Sequence, residues 1–227
     1  MKDWLRRRGL LVVLLVVLGV TLGFLHAQGN TAARTLNKLN AARTAQHISD
    51  FIAPANYSSM QPAAQVVAII NNERKARGLP QGLESNLDQS AVIQSLNQSV
   101  DPVPIVNVPG VVQTDTIWGW SSLSSVNNTA KMGVAIEYID YSWVYNDAWN
   151  GSLALTTNSD CTSATSAGCN GHRDAILHPN PKGTTLVIIA AGSSNVIVNG
   201  VPGGTSAAAE LVWTTDPSQF AAFTPSP

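Results

Sequence analysis

Both cysteines of the chain lie in one stretch, CTSATSAGCNGHRDAIL, from Cys161 to Leu177, and His178 follows it directly. Written C-x7-C-x2-H-x5-H, the stretch brings Cys161, Cys169, His172 and His178 to ligand spacing, and thiolate with imidazole is a donor set that suits tetrahedral zinc. The same two cysteines can instead pair, as lone cysteines do in an oxidising compartment. Seven residues separate them, and a bridge over so short a loop contributes about 2–3 kcal/mol by loop entropy. Its effect would be local, pinning a Ser/Thr/Gly-rich loop ahead of GHRDAIL. A Cys161–Cys169 disulfide is the expectation and zinc the alternative, so no metal ligand and no cofactor is assigned.

His172 stands beside Gly171 at the start of a short helix, where unpaired backbone N–H groups gather. A neutral imidazole there can donate, accept or ligate a metal; its plainer role is to orient the loop through a backbone carbonyl. Arg173 can pair with another element, and Asp174 is expected as a solvated charge. Other catalytic patterns fail. GWSSLS (Gly119–Ser124) is not G-x-S-x-G and lacks the strand–turn–helix setting. A cysteine nucleophile conflicts with a bridge, and GVPGGTS lacks the lysine and following helix of a phosphate loop. Trp143 and Trp213 are expected in the core. Trp118, Trp120 and Trp149 fall in polar stretches; their faces suit a sugar or peptide cleft, with ordinary packing as the simpler role.

The elements that must hold these residues follow from periodicity. QPAAQVVAIINNERKARGLP (Gln61–Pro80) places Ala63, Val66, Val67 and Ile70 on one helical stripe, with Pro62 at its start and Gly78 at its stop. Glu73 and Arg74 are expected at its solvated end. Ser85–Ser99 reads as a shorter helix, and the proline-spaced VDPVPIVNVPGVV as a loop. A third helix begins at Asn128 or Thr129, carries Met132, Ile136, Ile139 and Trp143, and ends near Tyr145, with Glu137 and Asp140 off its apolar line. After a loop over 151–170 and two helical turns of GHRDAIL, the runs TTLVIIAAG, NVIVNG and SAAAELVWTT read as three strands, the last two joined by GVPGGTS. Helices followed by strands predict an α+β fold with an antiparallel sheet.

Residues 1–27 have the order of a leader: basic MKDWLRRRG, apolar Leu10–Leu25, then LHA before Gln28. The apolar run is shorter than the ~20 residues of a bilayer span, so a cleaved signal peptide is expected, with a retained N-terminal anchor as the alternative. Either takes the chain out of the cytoplasm, to a secreted or cell-envelope location. Charged residues are only 12% of the chain and its net charge is −1, which excludes a basic nucleic-acid footprint. Residues 28–60 read as a helical or flexible pre-domain segment with Leu36, Leu39, Ile48 and Phe51 loosely on one face, ended by Pro54 and carrying a solvated His47. The domain follows over 61–216, with a tail over 217–227.

Three pieces of this chain resemble the CAP superfamily, the SCP-like domains of cysteine-rich secretory proteins, antigen 5 and pathogenesis-related-1, in their bacterial type. VVAIINNERKARGLP is similar to the family's first helix, VAIEYIDYSWVYND to the helix with a closing tryptophan, and GHRDAILHPNPKGTTLVIIAAG to the second histidine motif with its following strand. The resemblance covers about Gln61 to Asp216. It implies a three-layer α–β–α sandwich with a central antiparallel sheet. It also implies a cleft in which many members hold two histidines and two glutamates, some with a divalent metal. His172 matches the second histidine. The acidic residue three after the helix tryptophan falls on Asn146, with Asp147 beside it. SLNQSVDPVP has no histidine where the first is expected, and the G-E-N segment is missing. One histidine and one carboxylate make a poor metal site. The expected function is therefore non-catalytic binding of a lipid, cell-wall fragment or protein near His172, Arg173, Asn146 and Asp147. The alternative is a hydrolase with His172 as general base or metal ligand and Asp147 nearby. A membrane partner is expected only through an uncleaved leader.

Overall fold

The computed structural model describes residues 32–220 apart from 86–88, 106, 124–127, 149–157, 159–160, 167 and 199–200. The leader, Trp149 and the end of the tail lie outside the described residues. Among the described residues no helix is long and apolar enough to cross a membrane.

Among the described residues, five α-helices and four strands make an α+β fold. The helices are α1 over 32–45, then α2 (Pro62–Ala76), α3 (Ser90–Gln98), α4 (Thr129–Tyr145) and α5 (Gly171–Leu177); the strands are β1 (Leu83–Ser85), β2 (Val111–Ser121), β3 (Thr185–Val198) and β4 (Val201–Thr214). The sheet order is β1-β3-β4-β2. β2 and β3 both run antiparallel to β4, but β1 runs parallel to β3 through Leu83↔Val187 and Ser85↔Ile189. The sheet is therefore mixed, which corrects the antiparallel expectation. A parallel neighbour needs a long crossover, and α3, β2, α4 and α5 all intervene between β1 and β3.

The strand count is corrected as well. The first two expected runs merge over Thr185–Val198 into one strand, because Gly192 pairs with Ala207 and the ladder continues past it with irregularities near Val196. Gly192 has a steric reason to be glycine: a Cβ there would lie 3.0 Å from Cβ of Pro62, where α2 starts against the strand. Gly203 to Ser206, expected in a turn, belong to β4. β2 was not foreseen: its first two residues, Val111 and Val112, close the stretch expected as a loop, whose prolines end at Pro109, and a Gly110 turn at φ +85° leads into the β-branched run VVQTDTI. β1 takes the first residue assigned to the second helix, which begins at Ser90.

Alternation along the strands sends side chains to two cores. Leu186, Ile188 and Ala190 of β3 and Ala207, Ala209, Leu211 and Trp213 of β4 pack with α2, α4 and α5, joined by Leu39 of α1 and by Phe51. Val187, Ile189 and Ala191 of β3 and Ala208 and Val212 of β4 meet Val92 and Leu96 of α3 and Phe220 on the opposite face. Trp143 and Trp213 are core residues, as expected. Trp118 packs at the second core and donates from Nε1 to Ser206 Oγ at 2.8 Å.

α2 and α4 bury charge that periodicity assigned to solvent: Glu73, Arg74 and Asp140 are fully buried and Glu137 nearly so. Arg74 explains its own burial by satisfying backbone. It donates to the carbonyls of Pro80, Ile176 and His178 and to Oδ1 of Asn180, tying α2 to the end of α5. Glu73 accepts from Arg43 of α1, from Arg77 and from the Tyr145 hydroxyl. α1 stops well before Pro54, with His47 exposed at φ +58°.

At Gly119 of β2, α4 packs tightly on the sheet. A Cβ on it would lie 2.6 Å from Ile139 Cγ2 and 2.7 Å from Trp143 Nε1, the atom that donates to the carbonyl of Trp118. Gly119→Ala is expected to cost about 2 kcal/mol through overpacking, read as a lower urea midpoint with an unchanged m-value.

Candidate functional site

α4 is capped at its start by Asn128, whose Oδ1 accepts from the N–H of Lys131 at 2.9 Å. It ends at Tyr145, and the chain turns through Asn146 so that Asp147 is buried beneath the first turn of α5. α5 lacks an ordinary cap, since the Asn170 side chain makes no capping bond and its backbone sits at φ 64°. Asp147 substitutes for it. Its Oδ2 accepts from the free N–H of Arg173 at 3.1 Å, and its carbonyl accepts from Asn170 N at 3.2 Å. A carboxylate at a helix start is stabilised by the unpaired N–H groups there.

The other oxygen of Asp147 holds His172. Oδ1 lies 2.8 Å from Nδ1 of the imidazole and also accepts from Asn158 Nδ2 at 2.7 Å. Asn158 donates to the carbonyl of Gly168 as well, at 2.8 Å. Cys161 and Cys169 form the expected disulfide, with their Cα atoms 4.4 Å apart. The bridge closes the loop that carries Gly168, whose carbonyl accepts from Asn158, and it ends one residue before Asn170, whose N–H donates to Asp147. A thiolate zinc site is thereby removed, because both sulfurs are committed to each other.

Nε2 of His172 lies 3.7 Å from Oδ1 of Asp101. That is an ion-pair separation rather than a hydrogen bond, so Asp147 is the direct partner and Asp101 acts through its charge. Burial opposes the charged imidazolium, but Asp101 and Asp147 outweigh it and raise the His172 pKa to about 9. At neutral pH His172 is a cationic donor. A charged imidazolium has no lone pair with which to accept a proton or ligate a metal, although its Nδ1 bond to Asp147 would orient Nε2 for either role once the proton leaves.

His172 and Asp101 open on a cleft of about 410 Å³ that is also lined by Asp115, Thr116, Asp174 and His178. The size is that of a small-ligand pocket, and most of the side chains that line it are polar, though its surface is almost as much apolar as polar. The His178 ring rests edge-on against Trp213 at 5.1 Å between centroids. Of the residues expected at the site, His172 and Asp147 come into direct contact. Asn146 and Arg173 do not line the cleft: Asn146 ends α4, and the Arg173 guanidinium donates to the carbonyl of Val144 and to Oε1 of Gln46. The expectation of a solvated Asp174 holds in part, since the residue is exposed but faces the cleft.

Asp101, Asp115 and Asn158 escaped notice in the sequence. Asp101 had a signal: it falls in SLNQSVDPVP, the segment where the resemblance called for a histidine, and a carboxylate there meets His172 instead. Asp115 had none, because no element was assigned to the stretch that forms β2 beyond Val112. The donors do not fit the metal site that the resemblance implies: among the described residues no group of three or more histidine, cysteine or carboxylate side chains is placed to hold a metal, and the stretch where the resemblance expects a first histidine offers Asp101 instead. No protein-family model matches this chain, and no curated protein matches it.

Proposed function

We propose that the chain is a CAP-like, three-layer α–β–α domain acting outside the cytoplasm, which binds a polar cell-envelope fragment at His172 without cutting it. The order of its motifs supports the family reading, as do the helices on both faces of the sheet. The disulfide is in keeping with an oxidising compartment. The observation that carries the binding reading is the grip of Asp147 on His172 at the edge of the cleft. With Asp101 it favours the charged imidazole, a fixed cationic donor that at neutral pH holds its proton rather than taking one. Polar lining side chains suit hydroxyl, amide and amine groups of a cell-wall fragment better than a lipid chain, which leaves them unpaired.

NMR titration of the protein with a soluble disaccharide–peptide released from cell walls tests this. The imidazole signal of His172 should shift saturably, and His172→Ala should weaken binding about tenfold, the worth of one charged hydrogen bond. Cleavage of the fragment at a rate that rises with pH through the His172 titration would overturn the reading in favour of a hydrolase. Absence of any shift would also overturn it.

A further inference from the structure

The buried carboxyl of Asp140 has no role in the cleft. Asp140 is fully buried in α4, and neither side-chain oxygen has a hydrogen-bond partner. It lies where three helices meet. Lys38 of α1 sits 6.0 Å above the ring of Tyr138 and 5.8 Å above that of Tyr141, the residues flanking Asp140 on α4. One turn further along α1, Arg43 is buried against Glu73 of α2. α1 therefore covers the α2–α4 seam at Asp140. The charged and titratable groups around Asp140 are Arg43 from α1, Glu73 and Arg77 from α2, Glu137 on α4 itself, and Tyr57 from the short turn before α2.

The two arginines are already committed, since both donate to Glu73. An ionised Asp140 would thus be a dry, unbonded anion beside Glu73 and Glu137, a costly state. Burial foremost, with Glu73 and Glu137 adding and the two arginines opposing, holds its pKa well above the carboxylate range. If α1 lifts, water reaches the carboxyl and it ionises at an ordinary value.

We propose that docking of α1 is proton-linked through Asp140: the carboxyl is neutral while α1 covers it and releases its proton when α1 lifts, so that α1 is a clasp that tightens in acid. The sign follows from linkage: the docked state binds one more proton than the lifted state, so raising the pH favours lifting.

Hydrogen exchange of residues 32–45 in the whole chain, from about pH 5 to about pH 9 and normalised to an unstructured peptide, reads the clasp directly. In the wild type, α1 protection should fall by a factor approaching ten per pH unit. In Asp140→Asn, which keeps the shape and removes the proton, protection should not vary with pH. Glu137→Gln should keep the wild-type slope. A flat wild-type profile, an unchanged slope in Asp140→Asn, or a slope lost in Glu137→Gln would each overturn the proposal. Infrared difference spectroscopy reads the carboxyl itself rather than the opening of α1. Burial raises the Glu137 pKa to about 7, so the band must be assigned: the wild type at about pH 9 should show the C=O stretch of a protonated carboxyl that persists in Glu137→Gln and is lost in Asp140→Asn, and its absence from the wild type overturns the proposal equally.

Discussion

Glu73→Ala should be the most damaging single truncation outside the apolar core. Glu73 is fully buried and accepts from two arginines and a tyrosine. Removing it leaves Arg43, 1% exposed, as a buried cation without its carboxylate. Breaking such a pair from one side costs about 3–5 kcal/mol. Ionisation of Asp140 beside the orphaned Arg43 returns part of this, which sets the expected loss at about 3 kcal/mol and the fall in melting temperature at about 10 °C. Thermal unfolding of Glu73→Ala beside Glu73→Ala/Arg43→Met separates the causes. The second variant should recover part of the loss, because no lone cation is then buried. Equal melting temperatures for the two would mean that lost packing, not an unpaired charge, is responsible.

Asp147→Ala should have the second largest effect, and one that depends on pH. The carboxyl receives His172, Asn158 and the backbone of Arg173. His172 titrates at about 9 in the folded protein against about 6.5 when unfolded, a difference equivalent to about 3 kcal/mol. A histidine with a raised pKa contributes stability that is fully present below its unfolded value and is lost as pH rises through the folded one. The deficit of Asp147→Ala should therefore be greatest below about pH 6.5 and shrink toward pH 9, leaving the smaller cost of the lost Asn158 and backbone bonds. Urea unfolding at both ends of that range checks the sign. An NMR titration should find the His172 pKa of the variant moved down toward 6.5. A deficit independent of pH would show that the carboxyl stabilises as a helix cap and not through the charged imidazole.

Elements set by local chemistry were legible in the sequence. Pro62 and Gly78 bracket α2, Asn128 caps α4, and GHRDAIL forms two turns that begin at Gly171. The disulfide followed from the spacing of the cysteines and the leader. What could not be read depended on partners distant in the chain. β2 shares its neighbourhood with Pro102, Pro104 and Pro109, and its β-branched residues commit only because β4 offers a full ladder. Glu73, Glu137 and Asp140 look solvent-facing at helical spacing, and α1, read as lying ahead of the domain, is what covers that seam. In the cleft, His172 was identifiable from its motif, but Asp101 becomes its neighbour only after the chain has crossed the sheet. Arg173, adjacent in sequence to His172, turns the other way, because consecutive residues on a helix point about 100° apart.

The parallel pairing of β1 with β3 carries a consequence for the order of folding. The β3–β4 hairpin closes locally, whereas β1 must wait for a strand about a hundred residues downstream, a large loop-closure cost recovered by only three residues of ladder. The hairpin is thus expected to assemble early, as the template on which β2 adds to one edge. β1 arrives last at the other, so the edge of β3 is the surface a nascent chain leaves unsealed longest. In that interval its unpaired backbone groups can recruit a foreign strand. Production of this protein should therefore be limited less by the stability of the finished fold than by how quickly β1 returns to close that edge.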